Sequence, residues 1–256
     1  MANVLITNAQ LVLPDRVTEP SSLLVEDGVI KLIGRTANLP ANTKFYDVEG
    51  ATVFPGFIDV HIHGARGVDT MDATAPGLLE AGRFLATKGV TSWLPTLVPG
   101  SDFEYQTALK AIAESMQNAD GHARVLGVHY EGPFVNLEQC GALHREHFRT
   151  FEQKNELDDL PRLPSGKMMM TLAPEITGGI ELIRQLKREG WVISIGHTRA
   201  TIERLNEACE AGAHHMTHFM NAMAPLHHRS PGPIAWGLSR DDVTCDIIAD
   251  GKHLDE

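Results

Sequence analysis

Four separate pieces of this chain carry histidine or carboxylate side chains in places where metal chemistry could be done. In Pro55-Gly56-Phe57-Ile58-Asp59-Val60-His61-Ile62-His63-Gly64, two histidines stand two residues apart at the end of an apolar run. On a strand, residues i and i+2 point to one face, so His61 and His63 aim together. Neutral imidazole is a good ligand for Zn²⁺, Fe²⁺ or Mn²⁺. Glu131 ends the apolar stretch Val128-His129-Tyr130-Glu131, His197 follows Ser194-Ile195-Gly196, and His218 follows Met216-Thr217. Taken singly, each has a bland reading: a helix-capping His197, a satisfied core His218, a surface Glu131 before a proline turn. Taken together, polar residues at the same end of successive apolar strands point to one metal site.

The elements that must position these groups follow a clear rhythm. From Pro55 onward, apolar strand signals at 57–60, 92–97, 125–129, 168–172, 191–195, 213–218 and 244–248 alternate with helical patterns at 77–88, 103–116, 179–189 and 200–211. Such alternation predicts an α/β fold with a parallel sheet. Seven strands, most followed by a helix, predict a TIM-like (β/α)8 barrel without its eighth strand, with the chemistry at the carboxyl ends of the strands. A doubly wound sheet is the competing architecture, but no GxGxxG follows the first β-rich strand to support it. The first residues read instead as short strands, with Glu26-Asp27-Gly28 as a hairpin signal. We therefore expect residues 1–54 to be the N-terminal part of a small β-sandwich domain and 55–256 to be the barrel.

Composition narrows the function. The formal net charge is −11, whereas nucleic-acid binding wants a basic face, so a small molecule is the expected partner. The three cysteines, Cys140, Cys209 and Cys245, form no CxxC pattern, which suits a reducing cytoplasm. No signal peptide is read at the start, and no apolar run approaches the roughly 18 residues of a spanning helix, so no membrane role is expected. Thirteen histidines are a rich supply for a chain of 256 residues. The roles of His214, His215, His227 and His228 are not settled by their spacing; the first two read more readily as structural or surface residues.

The series PGFIDVHIHG, HYEGPF, GHT, THFMNAM, HHRSPG and IIADGKH, in that order, resembles the motif series of the N-acetylglucosamine-6-phosphate deacetylases in the amidohydrolase superfamily. The resemblance covers essentially the whole chain; HxH marks the superfamily, while EGPF and HHRxPG point to this branch. It implies hydrolysis of an N-acetylated amino-sugar phosphate by a metal-activated water. It makes Glu131, His197 and His218 the primary metal ligands, and His61 with His63 ligands of a second ion, with one or two ions and Zn²⁺, Fe²⁺ or Mn²⁺ all open. Asn221 and Ala222 match positions facing the sugar phosphate, and Arg229 matches the arginine that grips the phosphate. His253 matches a histidine that contacts the substrate and polarises its carbonyl, while Ala142 and His144 correspond to a Gly-Ala-His loop. The resemblance also implies a homodimer formed through the barrel.

This chain departs from that pattern in three places, the first being Tyr130 before Glu131 where the family commonly has Leu, a change expected to be harmless. Leu143 stands between Ala142 and His144 where the pattern has no residue, which puts the His144 contact in doubt. The family's general acid/base is an aspartate on the eighth strand, which is expected beyond residue 256. The alternatives are an amidohydrolase acting on N-acetylgalactosamine 6-phosphate or a cyclic amide, and a catalytically impaired metal-binding fragment.

Overall fold

The computed structural model describes residues 3–34, 38–118, 121–152 and 155–255. Contacts divide the chain into two compact units, Met1–Gly56 and Phe57–Glu256. In the first, β1 (Val4–Leu11), β2 (Ser21–Glu26), β3 (Val29–Ile33), β4 (Lys44–Asp47) and β5 (Thr52–Val53) make one mixed sheet. Its order is β3-β2-β1-β4, with β5 also on β1. The β2–β3 turn falls on Asp27 and Gly28, both at positive φ, as the hairpin signal requires. A second layer, which a sandwich needs, is not seen among the described residues of this unit.

The second unit is a curled parallel sheet. Its strands are β6 (Phe57–Ile62), β9 (Val90–Leu97), β11 (Gly127–Glu131), β12 (Lys167–Leu172), β13 (Val192–Ile195), β14 (His215–Met216) and β15 (Thr244–Cys245). They pair in parallel, each with the next along the chain. A short hairpin of β7 (Gly64–Ala65) and β8 (Val68–Asp69) follows β6, and β10 (Arg124–Val125) runs beside β9. The doubly wound alternative is excluded, because the strand order rises steadily with no switch point. Seven strands of a TIM-like barrel are present, and β6 and β15 find no mutual partner among the described residues. Between them lies a gap of about 410 Å³, lined by Phe57–His61 and Asp246–Asp250.

Helices pack on the outer face: α1 (Ala75–Ala86), α2 (Asp102–Ser115), a short α3 (Asn155–Asp158), α4 (Gly179–Arg188), α5 (Ile202–Ala211) and α6 (Gly232–Leu238). Their ends follow capping chemistry. Thr74 and Thr201 cap α1 and α5, and Ser101 with Glu104 forms a capping box on α2. This is why α1 starts two residues before the sequence pattern suggests, with Pro76 tolerated in the first turn. Helix α4 buries Ile180, Leu182, Ile183 and Leu186 at helical spacing, so one face holds it to the sheet. Trp93, Tyr130, Met170, Leu172 and Ile195 from the strands complete a fully buried core.

Two strand expectations need correction. The run 213–218 pairs as a strand only over His215–Met216, and 244–248 only over Thr244–Cys245. The cause is a side chain. Asp246 takes the backbone N–H of His218 onto its carboxylate at 2.6 Å, which pulls that residue out of the ladder.

Candidate metal centre

The centre is built at the carboxyl ends of β6, β11, β13 and β14, where the chain leaves each strand. Glu131 lies in the middle, buried, at the last position of β11. Its Oε1 is 2.9 Å from His197 Nε2, 2.9 Å from His218 Nε2 and 3.5 Å from His61 Nε2; its Oε2 is 3.2 Å from His63 Nε2. His61 and His63 face each other at 3.2 Å, and His197 and His218 at 3.1 Å. The four histidines expected as ligands therefore meet at the fifth, the Glu131 carboxylate.

The backbone is strained to achieve this. His197 has φ 47° and His218 has φ 31°, in the left-handed region that side-chain-bearing residues seldom adopt. Gly196 lets the first turn pass. A Cβ there would run into the methyl groups of Thr217 and Thr171. Gly196→Ala is expected to destabilise the fold by about 1–3 kcal/mol, the usual effect of overpacking a tight interior, and to move His197. A thermal melt reads the first effect, and an unchanged midpoint would contradict it.

Hydrogen bonds behind the rings decide which nitrogen faces inward. The Gln139 carbonyl accepts from His197 Nδ1–H at 2.7 Å. A carbonyl only accepts, so in the neutral ring Nε2 is a bare lone pair. That lone pair points at a carboxylate oxygen and at the Nε2 of His218, an arrangement that repels unless a proton or a cation lies between. Thr217 Oγ1 holds His61 Nδ1 at 3.0 Å, while His218 Nδ1 is buried with no hydrogen-bond partner among the described residues. Ligand atoms of His61, Glu131 and His218 lie within 4.8 Å of one another. Imidazole and carboxylate donors converging in this way fit a divalent cation.

Protonation states agree. Burial raises the Glu131 carboxyl, but its contacts to His197, His218 and His63, with an Nε2 proton lying between ring and carboxylate, outweigh it and hold the group well below the usual carboxylate range. Burial pushes His61 down to about 3, against the pull of Glu131, and His129 down to about 4. Burial also opposes charge on His63, yet its bond to Glu131 wins and raises it. His129 is a buried neighbour rather than a donor. It bonds the Val60 carbonyl through Nδ1 and Thr171 Oγ1 through Nε2, both at 2.7 Å, so both nitrogens are satisfied.

Those two lowered imidazoles make the metal-free fold pH-dependent. Below their ordinary value of 6.5 the unfolded chain protonates both, while the folded chain keeps both neutral down to about 4. Where the unfolded state binds more protons, stability rises with pH, here by up to about 2.7 kcal/mol per unit for two protons. His63, raised in the folded state, acts in the opposite sense only above 6.5. Denaturant unfolding of chelator-treated protein between roughly pH 5 and 6.5 should show this slope, and a flat profile would refute it.

The centre opens into a hollow of about 630 Å³ lined by Ala142, Leu143, Asn221, Ala222, Ile248 and His253 as well as the ligand candidates. Two expected residues are not there. His144 is exposed and pairs loosely with Glu146 at 3.8 Å, because Leu143 takes the buried place beside the hollow. Arg229 lies on an exposed turn and lines a neighbouring hollow with Arg199 and Ser230. His253 is half-exposed at the margin, with Nδ1 2.9 Å from Asp250 Oδ2.

Two carboxylates escaped the sequence reading. Asp246 accepts from the His218 N–H and from His215 Nε2, the latter at 2.9 Å. Glu175 accepts from Thr198 Oγ1 at 2.6 Å, Arg199 N–H at 2.6 Å and Asn136 Nδ2 at 2.8 Å, which pins the turn after His197. A charge inside the apolar run Thr244-Cys245-Asp246-Ile247-Ile248 was the available signal for Asp246. For Glu175 it was position, three residues past the end of β12.

A family model described as the amidohydrolase family matches residues 52–256. The chain is 36% identical over 260 residues to an N-acetylglucosamine-6-phosphate deacetylase of Bacillus subtilis, covering 98% of this chain and 64% of that protein. It is 37% identical to an N-acetylgalactosamine-6-phosphate deacetylase of Escherichia coli, covering 91% and 60%. Both shares are below two thirds of the relative's length. Among solved structures, an N-acetyl-D-glucosamine-6-phosphate deacetylase mutant of Mycobacterium smegmatis, in complex with N-acetyl-D-glucosamine-6-phosphate, superposes with a TM-score of 0.82 at 27% identity. That match covers 99% of this chain and 65% of the other. Among the described residues, no helix is long and apolar enough to cross a membrane.

Proposed function

Because this chain belongs to the amidohydrolase family, we propose that its histidine–carboxylate centre removes the acetyl group of N-acetyl-D-glucosamine 6-phosphate, releasing D-glucosamine 6-phosphate and acetate. One observation carries this reading: four imidazoles converge on Glu131 in a hollow that Ala142, Asn221, Ala222 and His253 also line. The deacetylase relatives and the neighbour bound to the sugar phosphate support the substrate class. A hollow of about 630 Å³ is ample for one such sugar.

Glu131, His197 and His218 would hold one Zn²⁺, Fe²⁺ or Mn²⁺ ion, and His61 with His63 a second. When bound, such a cation acidifies a water and polarises an amide carbonyl. The chain's own groups supply the rest. Gln139 and Thr217 hold two rings with Nε2 inward. His253 donates Nδ1–H to Asp250, and with a second proton on Nε2 it could donate that N–H to the acetamide oxygen. Asn221 offers an amide to the sugar. Among the described residues Glu131 is the one carboxylate lining the hollow, and its ionised state among imidazoles makes it no proton donor for the leaving amine. That proton is assigned to His253 or to a group beyond Glu256. The setting proposed is cytoplasmic, with a small-molecule partner, no nucleic acid, and a homodimer.

The test is calorimetric binding of N-acetylglucosamine 6-phosphate to the Zn²⁺- or Mn²⁺-loaded protein, run beside an acetate-release assay. Binding with acetate release is expected; a folded, loaded protein that binds no sugar phosphate would overturn the reading. A marked preference for N-acetylgalactosamine 6-phosphate would move the substrate to the second reading, which the Escherichia coli relative favours. If the phosphate extends to the neighbouring hollow that Arg229 lines, Arg229→Ala should raise KM for the phosphorylated sugar by about tenfold or more, as loss of a charge-assisted bond worth about 1.5–3 kcal/mol implies. Uncharged N-acetylglucosamine should show no such rise. Equal KM values for parent and variant would remove Arg229 from the phosphate site.

A further inference from the structure

A second convergence of metal-binding side chains sits at the opposite, amino ends of β14 and β15. Cys209 comes from the last turn of α5, His214 from just before β14, and Asp242 from just before β15. Cys209 Sγ lies 3.4 Å from His214 Nδ1 and 3.8 Å from Asp242 Oδ2, and the three ligand atoms all fall within 4.8 Å of one another. We propose that Cys209, His214 and Asp242 form a binding site for a soft divalent cation of the zinc class, separate from the hydrolytic centre.

Geometry supports the assignment. Bonds of about 2.3 Å to sulfur and about 2.1 Å to nitrogen at a tetrahedral angle set those two ligand atoms about 3.6 Å apart. Sulfur and a carboxylate oxygen fall at about 3.5 Å on the same reckoning. The observed separations match closely enough that rotation about side-chain bonds completes the site. The donor set, one sulfur, one nitrogen and one oxygen, is that of a zinc site rather than of a magnesium or calcium site. Cys209 is buried while His214 and Asp242 are exposed, so a cation enters from the solvent side and meets the sulfur last.

A positive charge already occupies the position. The Arg240 guanidinium reaches Asp242 through Nε at 2.7 Å and Nη2 at 2.6 Å, with Nη2 also 3.5 Å from Cys209 Sγ. It lies over the Trp236 ring at 5.4 Å. On binding, the Cys209 S–H gives up its proton to solvent, the sulfur–metal bond forms, and Asp242 exchanges the guanidinium for the cation. The bound ion ties α5 to the amino ends of two strands, so it raises the unfolding temperature in proportion to its occupancy.

The experiment is Co²⁺ titration of the purified protein, followed by the near-ultraviolet sulfur-to-cobalt charge-transfer band, which histidine and carboxylate ligands do not give. The parent should develop the band, as should Cys140→Ser and Cys245→Ser. Cys209→Ser should lose it. His214→Gln and Asp242→Asn, both at exposed positions where the fold is not at stake, should weaken it, and Arg240→Gln should shift the titration to lower cobalt. The proposal is overturned if the folded parent gives no band, if the band survives in Cys209→Ser, or if His214→Gln and Asp242→Asn titrate like the parent.

Discussion

Glu131→Gln is expected to lower the affinity of the centre for a divalent cation by roughly a thousandfold, about 4 kcal/mol, while leaving the chain folded. Four imidazole nitrogens approach this one carboxylate within 3.5 Å, and it is the one negative charge among them. Without it a cation would face neutral rings alone, with no negative charge among the donors. The amide that replaces it has nearly the same shape, so the core around Val128 and Tyr130 keeps its packing. Its N–H groups also answer lone pairs that now face one another across the metal-free centre, such as His197 Nε2. Stability of the chelator-treated protein should accordingly change little while cation affinity collapses. This separation of effects distinguishes a ligand from a merely structural acid. Glu131→Asp should fall between the two, since a carboxylate one methylene shorter cannot reach all four rings. Competition against a chromophoric chelator measures each case, and a glutamine variant that kept parental affinity would place the cation elsewhere.

The parts of this centre that could be read from sequence are those governed by local geometry. The period of two within β6 puts His61 and His63 on one face, and the alternation of strands and helices places Glu131, His197 and His218 at one end of the sheet. Helix interiors were legible but their starts less so: α5 begins at Ile202 after its Thr201 cap, where the pattern suggests 200, and α1 at Ala75 after Thr74, where it suggests 77. Contacts across the chain were not legible. Whether Gln139 offers its carbonyl to His197, or Thr217 its hydroxyl to His61, depends on which loops meet, and no residue pattern states that. The same limit explains His144 and Arg229. A motif gives their types, but Leu143 beside the hollow displaces the first, and the turn around His227 and Ser230 carries the second to a neighbouring hollow. The shortened sixth strand is of this kind too. An apolar run predicts pairing along its length, and the Asp246 carboxylate, just past the next strand, takes the His218 N–H instead.

That carboxylate, Asp246, is where the second large effect is expected: Asp246→Ala should weaken cation binding by about ten- to a hundredfold, as loss of a group that orients a ligand commonly does. His218 needs a backbone φ of 31°, which costs on the order of 1–3 kcal/mol and persists only while its surroundings hold it. Asp246 does the holding from several sides. Its Oδ1 accepts the His218 N–H at 2.6 Å, its own N–H donates to the Met216 carbonyl at 3.1 Å, and its carbonyl accepts from Phe219 N–H at 2.8 Å. The two backbone bonds survive the substitution; the carboxylate bond does not, and the His218 turn is released toward ordinary backbone angles. His215 Nε2 loses its partner in the same step. Burial raises the Asp246 carboxyl, but the bonds from His215 and the His218 N–H outweigh it and keep it ionised. Asparagine should therefore rescue part of the loss. Its oxygen still accepts the His218 N–H, and its NH₂ can donate to His215 once that ring shifts its proton to Nδ1 and donates to Thr244 Oγ1, now 2.8 Å away. Affinity in the order parent, Asn, Ala would identify Asp246 as the group that positions His218. Equal losses in Asn and Ala would mean that the negative charge matters, acting on the cation through space rather than through the His218 turn.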